Sequence, residues 1–132
     1  MIPSSPKTLS LNGEWSLFFS DGMRGMPNRM HASVYHPHCK LRAEVPGEVH
    51  LDLMRQGLLD DIYQGANFLK ARWVEEYIWA YEKIFTLPPS AVGKRCFLYF
   101  TCLDYSAEIY VNGALAGRHA NFFRPCRLDV TD

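Results

Sequence analysis

Three glutamates lie close together in mid-chain, Glu75, Glu76 and Glu82, and two aspartates are adjacent at Asp60-Asp61. Paired carboxylates are the groups that acid–base and nucleophilic chemistry uses. Their setting points elsewhere. Glu75 and Glu76 precede a strand-like run and Glu82 alternates with apolar neighbours, so a solvated face accounts for all three. Asp60-Asp61 stands in loop sequence and reads as a turn or cap. His36-Pro37-His38-Cys39 offers imidazole and thiolate, both good zinc donors, but a site needs three or four converging ligands. Only His31 and His50 are near in sequence, no recognised spacing occurs, and a surface loop is the expectation. His50 falls in a helical motif and is expected to pack or cap. Tyr77, Trp79 and Tyr81 share strand parity and point to one face, as core or interdomain packing requires. Trp73 precedes that strand and is the ring expected to be exposed. Arg118-His119 follows a hairpin. The pair suits an anion, but polar residues that keep an edge strand soluble explain it more simply.

The chain that must position these groups has 132 residues, enough for one domain with a single core. Apolar residues make up 48% and charged residues 21%, a globular composition. Fourteen Lys and Arg balance fourteen Asp and Glu, so bulk charge offers no case for nucleic acid or an anionic membrane. No apolar run approaches the roughly 20 residues of a membrane-spanning helix. The start, MIPSSPKTLSLNGEW, lacks the basic and apolar segments of a secretory signal. The four cysteines, Cys39, Cys96, Cys102 and Cys126, form no C-x-x-C pair, which argues against a zinc ribbon or a thioredoxin-type motif. Cys96 and Cys102 sit in apolar, strand-like sequence, where a free cysteine acts as a small buried hydrophobe. Reduced thiols and a cytoplasmic location are the expectation.

Residues 1–10 read as a loose lead-in. Asn12-Gly13 is a turn signal before a strand from Glu14 to Phe19, and residues 20–40 hold no period and suggest a long irregular loop. Pro46-Gly47 marks a turn; Val49, Leu53 and Met54 then recur at helical spacing, and Gly57 can stop the helix, which is placed at Glu48 to Gln56. Asp60 to Arg72 reads as an exposed loop. YIWAYEKIFTL, from Tyr77, is rich in aromatic and β-branched residues and ends at Pro88-Pro89. CFLYFTCL is apolar on both faces, as a central strand would be. AEIYVNGALAGRH holds Asn112-Gly113 between two short strands, a strong hairpin signal. CRLDV alternates and reads as one more strand. Many short strands with one small helix predict an all-β protein, an antiparallel β-sandwich or jelly roll.

The motifs LNGEWSL, VPGEVHLDLMRQGLLDDIYQGAN, WVEEYIWAYEKIF and FTCLDYSAEIYVNGALAGRHANFFRPCRLDVTD follow one another in order over residues 9–132. Together they resemble the N-terminal sugar-binding-like domain of glycoside hydrolase family 2. The β-mannosidase branch is favoured by VPG-x-VH-x-DL (Val45 to Leu53), the G-x-N of Gly65 to Asn67 and the W-x-Y of Trp79 to Tyr81. The block from Asp104 to Asp132 is shared more widely, including by β-galactosidases and β-glucuronidases.

The resemblance implies a galactose-binding-like jelly roll at the front of a multidomain exo-glycosidase, with residues 1–132 as a single domain segment whose closing strands would follow. An immunoglobulin-like domain and a (β/α)₈ barrel come next in such enzymes. The barrel carries an acid/base and a nucleophilic glutamate, about 5 Å apart for retention. It is absent from these 132 residues, as is the W-D-W-type motif that helps line the glycone pocket, so no catalytic residue is assigned here. The segment is expected to buttress the barrel, to contact the remaining domains and to shape the rim of the pocket, with carbohydrate as the ligand and no metal or organic cofactor. Asn67 matches the family's loop asparagine near the active-site mouth, where an amide donates to and accepts from a sugar hydroxyl. The family commonly flanks this asparagine with acidic residues, D-N-E; here the run is Ala66-Asn67-Phe68, and a structural loop asparagine is an equal reading. Trp73 is the ring on which a pyranose would stack. Asn67 and Trp73 are therefore the candidate substrate-binding residues. The rival readings are an independent carbohydrate-binding module, which would bind free sugar by itself, and a purely structural scaffold.

Overall fold

In the computed structural model, residues 7–20 and 40–131 are described. The chain divides into two compact units, Met1–Ile84 and Phe85–Asp132. Among the described residues, the first contains a three-stranded antiparallel sheet, two short α-helices and a 3₁₀ turn. The second contains two antiparallel strand pairs.

Strand β1 (Gly13–Ser20) is the centre of the first unit's sheet, flanked by β2 (Leu41–Val45) and β3 (Ile78–Glu82) in the order β2-β1-β3. Trp15 pairs with Ala43, and Leu17 lies opposite Leu41 on one side and Tyr81 on the other. The expected strand from Glu14 is present. β2 was not foreseen, although Leu41, Ala43 and Val45 alternate as a half-buried strand must. β3 stops at Glu82, five residues before Leu87, where the aromatic-rich run was expected to end. Beyond it Ile84 is 90% exposed, so no apolar face remains to hold an extended strand. The long loop expected over residues 20–40 falls almost wholly outside the described residues.

Helix α1 (Val49–Arg55) forms where the helical spacing predicts it. Gly57 takes φ +70°, and the amides of Gly57 and Leu58 donate to the carbonyls of Met54 and Leu53 at 3.0 Å each. That is a Schellman stop, and glycine supplies the left-handed residue it needs. Leu53 is fully buried, and with Leu17, Ala43, Ala71 and Val74 it makes the apolar core of this unit. Burying a leucine side chain contributes roughly 1.5–3 kcal/mol.

The segment from Asp60 to Arg72 is not the loop its polarity suggests. It carries α2 (Asn67–Lys70) and runs into a 3₁₀ turn, Ala71–Glu76. Ala71 and Val74, three residues apart, are both buried, and this single apolar step fixes the turn against the core.

In the second unit, β4 (Phe97–Phe100) pairs with β7 (Cys126–Asp129), and β5 (Ser106–Val111) pairs with β6 (Ala114–Ala120). The β5–β6 hairpin turns on Asn112 (φ 50°) and Gly113 (φ 83°), the two positive-φ positions that Asn-Gly signals. β6 packs on β7 at Gly117, where an added methyl group would come within 2.7 Å of Leu128 Cδ2. β4 is not buried on both faces: Tyr99 is 61% exposed, and among the described residues β4 has one strand neighbour. Cys102 is likewise exposed rather than packed, Cys96 is half-buried, and Cys126 is the buried thiol.

Candidate functional site

The two residues that the sequence nominates for sugar binding come together. Asn67 opens α2 and Trp73 lies in the 3₁₀ turn that follows. Both line one shallow cavity of about 200 Å³, together with Lys70 and the Gly57–Asp60 segment that leaves α1. Helix α1 and its glycine stop therefore place one wall of the cavity, and α2 with the turn places the other.

The Asn67 amide donates through Nδ2 to the Asp61 carbonyl at 3.0 Å, while Asp61 accepts from the Tyr63 amide at 3.0 Å and from Gln64 Nε2 at 3.1 Å. Asp61 thus makes the turn that its position suggests. Asn67 does structural duty in this loop, and no described residue donates to its Oδ1. Asp60 forms an exposed ion pair with Lys70 at 3.6 Å, worth little in stability but placing both charges at the cavity. Trp73 is half-buried, not exposed as expected. Its ring packs edge-on against Tyr77 with centroids 5.6 Å apart and lies 6.2 Å from Trp79, which in turn sits 5.4 Å from Phe19 on β1. Trp79 Nε1 donates to the Val74 carbonyl at 2.8 Å. The aromatic set is therefore packing, as its parity predicts, and only part of Trp73 is left for a ligand. An amide, a charged pair and an aromatic surface around one cavity can bind and orient a polyhydroxy ligand. They do not supply two free carboxylates for acid–base chemistry.

A second cavity, of about 400 Å³, is lined by His50, Phe68, Leu69, Arg72 and Glu75 among others. His50 is half-buried and lines this cavity. Glu75 and Glu76 are exposed, as a solvated face requires. Arg118 is engaged by Glu108, with Nε 2.8 Å from Oε1, and His119 Nε2 lies 2.8 Å from the Asn121 carbonyl, so neither side chain is held ready for an anion. Among the described residues no group of three or more metal-ligating side chains occurs; His31, His36, His38 and Cys39 lie outside them.

One polar group escaped the sequence reading. Asp52 is 2% exposed. Its Oδ1 accepts from the Glu44 amide and from Arg55 Nη1, both at 3.1 Å, while Oδ2 is buried with no hydrogen-bond partner among the described residues. The signal was present: Val49, Asp52 and Leu53 share a helix face, so an acidic residue falls on the apolar stripe. Nearby, burial pushes the Tyr81 hydroxyl up to about 12, with the charges of Asp52 and then Glu48 acting in the same direction.

The fold is a β-sandwich of the galactose-binding-like class, as two comparisons show. Residues 26–132 match the family model described as glycosyl hydrolase 2 galactose-binding domain-like, and the chain belongs to that family. It is 40% identical over 87 residues to Beta-mannosidase B of Emericella nidulans, covering 66% of this chain and 10% of the relative. Against Beta-mannosidase B of Thermothelomyces thermophilus the identity is 38% over 89 residues, covering 67% of this chain and 10% of the relative. The crystal structure of Beta-D-mannosidase from Dictyoglomus thermophilum superposes with a TM-score of 0.76 at 33% identity, over 94% of this chain and 14% of that one. The chain thus spans about a tenth of the length of the curated relatives it matches.

Proposed function

We propose that this chain is the non-catalytic N-terminal segment, one jelly-roll domain, of a longer retaining exo-glycosidase that hydrolyses terminal β-mannosides. In that enzyme it buttresses the catalytic barrel and lends Asn67 and Trp73 to the rim of the glycone pocket. Its partners are the remaining domains of the same chain and the carbohydrate substrate, and its compartment is the cytoplasm. The observation that carries this reading is the meeting of Asn67 and Trp73 on one cavity in a chain similar to β-mannosidases over most of its length. The β-mannosidase relatives support the sugar. Among the described residues the cavity is lined by one carboxylate, Asp60, which supports the division of labour, since retention needs two carboxyl groups about 5 Å apart.

The test pairs two assays. The 132-residue chain is incubated with an aryl β-mannoside and separately titrated with mannose by calorimetry. The expected result is no hydrolysis and no binding tighter than millimolar, because the rim holds only part of the pocket. Micromolar binding by the chain alone would instead make it an independent carbohydrate-binding module.

A further inference from the structure

β2 is an edge strand of its sheet among the described residues, and an edge exposes backbone groups that seek a partner. Here the outward groups belong to Arg42 and Glu44. They are met by α1. Gln56 places its side-chain amide against Arg42 as a neighbouring strand would: the Arg42 amide donates to Oε1 at 3.1 Å, and Nε2 donates to the Arg42 carbonyl at 2.9 Å. One turn earlier, Asp52 Oδ1 accepts from the Glu44 amide at 3.1 Å. Asp52 and Gln56 are four apart and so share a helix face. The Gln56 amide also donates to the Asp52 carbonyl at 2.9 Å, which fixes its orientation.

We propose that Asp52 and Gln56 make α1 a surrogate strand that closes the β2 edge, and that opening this clamp frees the edge to pair with β2 of a second copy of this chain. The sequence of the edge, LRAEV, selects that occupant. An antiparallel self-pairing centred on Ala43 sets Leu41 opposite Val45 and Arg42 opposite Glu44 of the second copy, twice over by symmetry. Opposite charges then face each other across the pair. The residues brought into hydrogen-bonded register are also the ones whose backbone groups Gln56 and Asp52 now cover. The hydrogen bonds to Gln56 are solvent-exposed, so the Arg42 end of the clamp opens first, and the Glu44 end, held by the buried Asp52, opens as α1 lifts from the strand.

The test uses Gln56→Ala in the full 132-residue chain, with amide exchange at Arg42 read by nuclear magnetic resonance and association read by sedimentation velocity over a concentration series. The expected result is exchange at Arg42 at least tenfold faster at low concentration, a dimer appearing as concentration rises, and loss of that dimer when Arg42→Pro is added. Unchanged exchange at Arg42 would overturn the clamp. Faster exchange without a dimer, or a dimer that survives Arg42→Pro, would overturn the pairing. Gln56→Met keeps the length of the side chain and loses both the donor and the acceptor; it is read in the same way should circular dichroism show the alanine variant unfolded.

Discussion

Raising the pH should loosen the first unit through one side chain. Burial pushes the Tyr81 hydroxyl up to about 12 from an ordinary value of 10.0, with the charge of Asp52 as the next cause. The folded chain therefore holds this proton more tightly than the unfolded chain does. The corresponding stability is fully present below about pH 10 and is lost as pH rises towards about 12. Two units at about 1.36 kcal/mol each set an upper figure of about 2.7 kcal/mol. The ring keeps some contact with solvent, and screening reduces the expected loss to roughly 1–2 kcal/mol. The assay compares urea unfolding of the wild-type chain and Tyr81→Phe from about pH 9 to about pH 12. Lysines and the other tyrosines titrate in both and cancel in the difference. The wild type should lose stability more steeply than the variant by that amount, and tyrosinate absorbance should show a late-titrating group that Tyr81→Phe removes. Parallel pH profiles, or all tyrosines ionising together near pH 10, would refute the burial of this hydroxyl beside Asp52.

Other perturbations read different parts of the fold. Leu53→Ala should cost about 2–5 kcal/mol in denaturant unfolding, because the side chain is fully buried between α1 and the sheet. Gly47→Ala should destabilise far more than Gly117→Ala. The first methyl group would clash with the Glu44 backbone oxygen, which cannot move aside, whereas the second meets the free end of Leu128; thermal unfolding of the two variants checks the order. Lowering the pH should release the end of β7, since hydrogen bonds from Thr131 and then Arg95 hold the Asp129 carboxyl below the usual carboxylate range. That stability is present above the ordinary carboxylate value and is lost as pH falls through the lowered one, and Asp129→Asn should flatten the acid limb of the β7 amide-exchange profile. In a longer enzyme containing this segment, Asn67→Ala should raise KM for an aryl β-mannoside more than it lowers kcat, as a rim contact made equally in ground and transition states would.

The β elements were legible where local chemistry dictates them. Asn112-Gly113 demands a tight turn, Gly57 demands a helix stop, and the parity of Tyr77, Trp79 and Tyr81 gives one packed face. What the sequence hid depends on contacts distant along the chain. β2 is a strand because β1 pairs with it, and LRAEV alone is too short to announce itself. Asp60 to Arg72 reads as loop because its polar residues outnumber its one buried apolar residue, Ala71, and Val74, which completes the contact with the core, lies beyond it. Exposure failed for the same reason. Cys102 and Tyr99 lie in apolar runs yet face outward, and Trp73 precedes a strand yet folds back on Tyr77. For the candidate site, the family-like G-x-N motif located Asn67, while Asp60 and Lys70 join it only through the turn geometry of α2. Asp52 shows the converse case: its spacing was readable, but its role as a clamp on β2 required the register of the sheet.

The central claim is that these residues work as the front of a larger β-mannosidase-type enzyme. The most direct test is to sequence the source reading frame past the codon for Asp132. The account predicts several hundred further codons that encode a (β/α)₈ barrel with two glutamates placed for retention. A stop codon immediately after Asp132 would contradict it.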